Sequence, residues 1–258
     1  MTDNTRRNGP TRRATIKYGG TVVSGGLLAG CTGGSEESTP ETDPTTNESY
    51  SVTMEQMGTV EFDDPPETWT AFLSTYGDMG IALGKADGLR GLWDPETMPT
   101  AFYDALPGVD VSFEDITPIA QDGEFDKEIF YELDADVHLM DPNWLGVLND
   151  DWSEDDAEEI ADNVGPFLGN YIRRRGDDWH DYEYYSLYEA FEVVAEAFDE
   201  RERYEAFTSV HDDAQATIDD SLPPTEERPT VGLVSVNSDF EDGSFYVYPV
   251  QEGNNHKQ

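Results

Sequence analysis

Lysine is scarce in this chain of 258 residues. Four Lys and eleven Arg face 56 Asp and Glu, for a formal net charge of −41. So little positive charge excludes a nucleic-acid binder that works through phosphate contacts, because the phosphates would be repelled. One cysteine, Cys31, excludes a disulfide framework and any Cys-rich zinc site. The only apolar segment near the N-terminus is too short to cross a bilayer as an ordinary helix. The chain also lacks a G-x-S-x-G elbow, an HExxH pair, a GxGxxG turn after a strand and a P-loop, the commonest marks of enzymes. Paired carboxylates are everywhere in this composition, so their spacing carries no catalytic information. Hydrophobic residues make up a low 36%, but a 12% aromatic share argues against a wholly disordered chain.

What is present begins with an address. Residues 1–30 hold five of the fifteen basic residues and one acid, Asp3. Their order is polar and basic, then apolar, then small, which is the order of an export signal and not of a folded element. Thr11-Arg12-Arg13-Ala14-Thr15-Ile16-Lys17 is similar to a twin-arginine signal, with Arg12 and Arg13 as the pair. Leu28-Ala29-Gly30-Cys31 resembles a lipoprotein box, in which the Cys becomes the new N-terminus and takes a lipid on sulfur. That use would make Cys31 an anchor, not a nucleophile. One acyl chain binds a membrane only marginally, so stable attachment needs a second signal or chain. Residues 31–50 then read as a flexible acidic tether, rich in Thr, Ser, Glu, Pro and Gly.

Beyond residue 30 the chain carries 10 basic and 55 acidic residues, a net charge of −45. The acids are dispersed and Lys is depleted, the pattern of proteins that stay soluble in molar salt. At 1 M salt the Debye length is about 3 Å, so self-repulsion is screened. No stretch fits the calcium loop D-x-[DN]-x-[DN]-G-x5-E.

The folded part alternates strand and helix patterns. A hairpin is expected from Ser51–Met54 and Thr59–Phe62 around Gly58, and Pro65-Pro66 ends it. Strands are expected at Thr68–Phe72, Leu89–Trp93, Ala135–Met140, Val164–Leu168 (weakened by Pro166) and Thr230–Val236, with another at Phe245–Tyr248. Helices are expected at Asp78–Leu83, closed by Gly84, at Ala101–Leu106 and Phe125–Leu133, and at Trp152–Asn163 with Ser153 as N-cap and Asp156 at N3. A helical pattern runs from Tyr184 to Leu222, with a break or bend at Arg201–Arg203 and a stop at Pro223-Pro224. Such alternation implies βα units and a parallel sheet, an α/β class.

The ordered set resembles the substrate-binding lipoproteins of iron–siderophore ABC importers, in particular the acidic versions from salt-loving archaea. The resemblance rests on Thr59-Val60-Glu61-Phe62, on Pro65-Pro66-Glu67-Thr68-Trp69-Thr70-Ala71-Phe72 and on Ala82-Leu83-Gly84 before the strand at Leu89. It rests also on Phe130 to Met140 (FYELDADVHLM) and on Arg228-Pro229-Thr230-Val231-Gly232-Leu233. It covers residues 51–258 and implies two Rossmann-like α/β lobes joined by a rigid helix, with ligand held between them and no chemistry done on it. On that pattern 51–182 is the N-terminal lobe, 183–223 the interlobe helix and 229–258 the start of a C-terminal lobe. About thirty residues are too few to close such a lobe, so an incomplete second lobe is expected. The implied partners are a permease with its ATPase, a small-molecule iron chelate, and the membrane through the lipid at Cys31. The implied location is the outer face of the cell membrane, after twin-arginine export. No cofactor and no protein-held metal are expected.

In a parallel sheet, ligands bind beyond the carboxyl ends of the strands. That rule selects Ser74 and Tyr76 after the first strand, and Trp93 with the loop to Tyr103 after the second. It selects Asp141, Asn143 and Trp144 after the third, and Asn170 with the Arg173–Arg175 run after the fourth. Aromatic rings offer flat apolar area suited to a chelate or tetrapyrrole, and an arginine such as Arg173 suits an anionic siderophore. Each has a plainer reading: rings fill lobe cores, Arg173–Arg175 can pair with neighbouring acids, Asp141 can cap the helix after Pro142, and His138 fits a core position. Cobalamin, haem or a bare metal ion on the same fold, an extracellular lipoprotein enzyme, and a non-functional truncated fragment are the alternatives. A bare-ion site would call for His and carboxylate ligands at the strand ends.

Overall fold

A computed structural model of the chain describes residues 15–17, 49–55, 57–72, 74–107, 109, 111–121, 123–172, 182, 185–229, 233–234 and 247–248. The expected hairpin is present. Strand β2 (Tyr50–Met54) pairs antiparallel with β3 (Gly58–Phe62), and the Thr53 and Thr59 hydroxyls meet across it at 2.8 Å. Residues Thr15–Lys17, placed by the sequence in the export address, form β1 along the other side of β3. An unpaired strand edge is a template for any extended segment, and β3 offers one.

The central sheet has four parallel strands: β4 (Trp69–Ala71), β5 (Leu89–Leu92), β6 (Thr117–Pro118) and β7 (Val137–Leu139), in the order β6-β5-β4-β7. Strand β6 has no counterpart among the expected elements. The strand expected at Val164–Leu168 is reduced to one parallel bridge between His138 and Phe167. Pro166 lacks an N–H and so breaks the ladder; its carbonyl still accepts from His138 N at 2.9 Å.

Side chains alternate across β4 and β7 with period two, and an irregularity in the β4–β5 register lets Leu89 and Leu92 share one face. Trp69, Ala71, Leu89, Leu92, Val137 and Leu139 face a core shared with the hairpin, with α1 (Ser74–Ala82) and with α5 (Leu187–Ala197). His138 and Met140 point the other way, toward α2 (Glu128–Leu133), α3 (Pro142–Leu148) and α4 (Glu154–Asn163), where Phe130, Leu145, Trp152, Ile160 and Phe167 cluster. Burying each such side chain stabilises the fold by about 1.5–3 kcal/mol. Helix α4 starts as its sequence requires: Ser153 and Asp156 form a reciprocal capping box. Helix α2 begins three residues later than expected, and the expected helix at Ala101–Leu106 is replaced by short 3-10 turns at Pro95–Thr97 and Thr100–Phe102.

The expected interlobe helix is broken into two, just before the expected interruption at Arg201–Arg203. Helix α5 ends at Ala197 and α6 runs over Arg201–Ser221. Between them Asp199 takes a left-handed φ of 54°, Glu200 N donates to Ala195 O at 2.8 Å and Asp199 N to Glu196 O at 3.2 Å. This is a Schellman stop built on Asp instead of Gly. Helix α1 ends the same way on Gly84, at φ 79°, as its sequence predicted. Helix α6 folds back along α5, with Tyr188 against His211 and Phe191 against Phe207. Its first turn serves the end of α1: the Arg203 guanidinium donates to Ala82 O, and Lys85 pairs with Glu200 at 2.6 Å. Further on, Leu233–Val234 (β8) and Val247–Tyr248 (β9), both within expected strands, pair antiparallel with each other. Among the described residues no helix is long and apolar enough to cross a membrane.

Candidate ligand-binding site

The chain leaves β4 for β5 and β6 on one side, then returns to place β7 on the other. The strand order therefore reverses at the β4–β7 pair, the place where open α/β sheets leave a crevice at their carboxyl ends. Backbone bonds line up the residues that emerge there. Phe72 N donates to Leu139 O at 3.3 Å, Trp93 N to Ala71 O at 3.0 Å and Ile119 N to Leu92 O at 2.8 Å.

A row of rings results. Tyr171 stacks on Trp144 with centroids 4.3 Å apart, Trp144 meets Phe72 at 6.4 Å, Phe72 meets Trp93 at 4.7 Å and Trp93 meets Phe125 at 5.5 Å. Phe72, Trp93 and Trp144 are only half buried, so the row is partly open to a ligand. Beyond Trp93 lies a cavity of about 1070 Å³, at the upper end of the range for small-molecule sites. Its lining includes Trp93, Met98, Phe113 and Ile116, with Asp94, Glu96, Asp104 and Glu114 among them.

The selected residues divide by burial. Trp93, Trp144 and Tyr103 are half buried, and Ser74 and Asn143 are exposed, so all five can be reached. Trp93 lines the cavity, and Trp144 belongs to the ring row. Tyr103 packs its ring 6.3 Å from Phe113, and its hydroxyl donates to Asp78 Oδ1. Burial raises the Asp78 pKa, and that hydrogen bond opposes the rise.

Tyr76, Asp141 and Asn170 do not face a ligand and are corrected to struts. Tyr76 is 1% exposed and exchanges both hydrogen bonds with the Asn170 backbone, at 2.9 and 2.8 Å. Asn170 is fully buried. Asp141 is 4% exposed and caps α3, accepting from Asn143 N at 2.9 Å, while its other oxygen accepts from Tyr171 N at 3.2 Å and from the Tyr182 hydroxyl. Burial pushes its carboxyl pKa up against those bonds. The reason is packing: the Tyr76 hydroxyl is held by the Asn170 backbone, which buries both residues, and the Asp141 carboxylate is held by the helix it caps and by Tyr171 and Tyr182. Arg173, like Arg12, Arg13 and Cys31, lies outside the described residues.

His138 is a core residue, as its place in an apolar strand suggested. Its Nδ1 lies 2.8 Å from Thr70 Oγ1, its Nε2 has no hydrogen-bond partner, and burial lowers its pKa to about 3. What sequence reasoning missed is the second wall of the cavity. The sequence pattern marks no element over residues 111–120, although Ile116-Thr117-Pro118-Ile119 has the β-branched composition of a short edge strand. Phe72 was read as part of its strand, and it proves to be the link between the two tryptophans.

No protein-family model matches the chain, and no curated protein matches it. Solved structures do. The petrobactin-binding protein YclQ of Bacillus subtilis aligns at TM-score 0.53 and 13% identity, over 78% of this chain and 61% of its own. The siderophore-binding protein BauB, bound to a complex of two acinetobactin molecules and ferric iron, aligns at 0.52 and 16%, over 80% and 63%. A periplasmic binding protein from Veillonella parvula aligns at 0.50 and 14%, over 74% and 59%. At such identity the likeness is one of fold: the chain has the α/β fold of periplasmic binding proteins. It spans about three fifths of the length of the structures it matches.

Proposed function

We propose that the chain is the extracytoplasmic solute-binding component of an ABC importer and that its cargo is an iron complex. One observation carries this reading: an open row of aromatic rings runs from the point where the strand order reverses to a cavity of about 1070 Å³ beyond the carboxyl ends of β5 and β6. Rings there give a chelate flat apolar area at little cost in side-chain entropy. The neighbours of like fold that bind petrobactin and ferric acinetobactin support a cargo of that kind.

The protein does no chemistry on the cargo in this reading. It holds the complex by its organic shell and delivers it to a permease driven by an ATPase. Arg12-Arg13 directs export by the twin-arginine route, the lipid on Cys31 holds the protein at the outer face of the membrane, and residues 32–50 give it reach. The dispersed acid suits a saline exterior.

Tryptophan fluorescence tests the reading, since Trp93 and Trp144 lie in the ring row and ferric chelates quench indole emission. In molar salt, saturable quenching by a ferric hydroxamate or catecholate is expected, and replacement of Trp93 by Leu should weaken both signal and affinity. No quenching by any iron complex, together with turnover of a panel of hydrolase substrates, would overturn it in favour of an extracellular enzyme.

A further inference from the structure

The cavity beside Trp93 also carries information about charge, if the iron-complex reading above holds. Its apolar wall comes from two stretches: Trp93 and Met98 on one side, Phe113 and Ile116 on the other. Met98 and Phe113 are buried, so this wall belongs to the packed lobe and is not a surface accident. Asp94, Glu96, Asp104 and Glu114 stand among these residues, all four exposed, and the described lining holds no Lys, Arg or His. The carboxylates do not converge on a point. Among the described residues no three His, Cys, Asp or Glu side chains are placed to hold a metal ion. They surround a volume far larger than a bare ion, one that fits a whole chelate.

We propose that this cavity takes a ferric chelate of positive charge, a hydroxamate-type complex bearing a free ammonium group, and turns away anionic catecholate or carboxylate complexes. The rings would receive the hydrocarbon arms of the chelate, and the ammonium would sit among the carboxylates, with Trp93 available for cation–π contact. An anionic complex would meet the like charges of Glu96, Asp104 and Glu114, with the field of the whole acidic chain added to them. The arginine-led recognition expected from Arg173-Arg174-Arg175 is the competing reading, and those residues lie outside the described ones.

A matched set of probes tests it: the ferric complex of a linear trihydroxamate ending in an ammonium, the same complex with that amine acetylated, and a ferric tris-catecholate. Affinities are read by tryptophan quenching at about 0.1 M and about 1 M salt, where the Debye length falls from about 10 Å to about 3 Å; circular dichroism checks the fold in both. The ammonium form should bind about tenfold more tightly than the acetylated form at low salt, and the catecholate weakest. The preference should shrink about threefold or more in the higher salt. The double variant Asp104→Asn, Glu114→Gln should lose at least about fivefold more affinity for the ammonium form than for the acetylated one. A catecholate that binds as well as the ammonium form, or a preference untouched by the double variant, overturns the charge assignment and leaves the iron-complex reading standing. Failure of all three probes to bind overturns both.

Discussion

The Tyr76 hydroxyl holds the Asn170 backbone from both sides: it donates to the carbonyl at 2.9 Å and accepts from the N–H at 2.8 Å. This pair ties α1, which follows the first parallel strand, to the segment that follows the last. Ile172 N also donates to the Asn170 carbonyl, so that acceptor keeps a partner if Tyr76 is lost. The N–H would lose its bond while still buried. Tyr76→Phe should therefore destabilise the fold by about 1–3 kcal/mol, the usual cost of an orphaned buried donor. Urea unfolding of the two proteins measures it; an unchanged midpoint would mean the pair is incidental.

The approach of that same segment to β7 leads to a prediction with its own control. A Cβ added at Gly169 would lie 2.4 Å from the Met140 carbonyl carbon and 2.6 Å from its Cα. Backbone cannot yield as a flexible side chain does. Gly169→Ala should cost about 1–3 kcal/mol or more and disturb the Trp144–Tyr171 stack beside it. Gly146→Ala, inside α3, would meet nothing closer than 3.7 Å and should be neutral or stabilising by up to about 1 kcal/mol. Thermal melts and near-UV circular dichroism of both variants check the contrast.

How much of this could be read in the residues depends on where local signals suffice. The hairpin, the strands at Trp69, Leu89 and Val137, and the Ser153 capping box follow from alternation, apolar runs and one cap residue. The stop of α1 was visible because Gly84 supplies the left-handed residue. The stop of α5 was not, because Asp199 does the same task with a side chain that more often signals a helix start or a loop. The interruption itself is expected close by, at Arg201–Arg203, but the residue that makes it is not. In the site, tryptophans at strand ends were legible. Whether Tyr76 and Asn170 face outward was not, because their roles depend on each other across 94 residues. The second cavity wall was hidden because a two-residue strand containing Pro118 has too little periodicity to register.

His138 makes stability depend on pH in a stated direction. Burial lowers its pKa from 6.5 to about 3. Between those values the unfolded chain binds a proton that the native state refuses, so this group's contribution is full above 6.5 and is lost as pH falls toward 3. One such proton changes stability by about 1.4 kcal/mol per pH unit. His138→Leu should flatten the loss of stability between pH 6.5 and 5 relative to the parent, as followed by urea titrations at each pH. Equal slopes would show that the imidazole is not held neutral.

Salt should act on the whole fold. A net charge of −41 repels itself in dilute buffer, and raising salt from about 0.1 M to about 1 M screens contacts beyond about 3 Å. A gain of about 2 kcal/mol, or about 4–8 °C in Tm, is expected for a domain of this size. Differential scanning calorimetry at the two salts would reveal it, and a flat or falling Tm would argue against adaptation to saline surroundings.

The central claim is that an iron complex sits at the carboxyl ends of the parallel strands, against Trp93. Anomalous diffraction at the iron edge, from crystals grown with a ferric hydroxamate in molar salt, tests it most directly. The account predicts an iron peak inside the cavity between Trp93 and Phe113, with the organic shell of the chelate on their rings. Iron found elsewhere on the lobe, or a fully formed cavity without iron at saturating chelate, would contradict it.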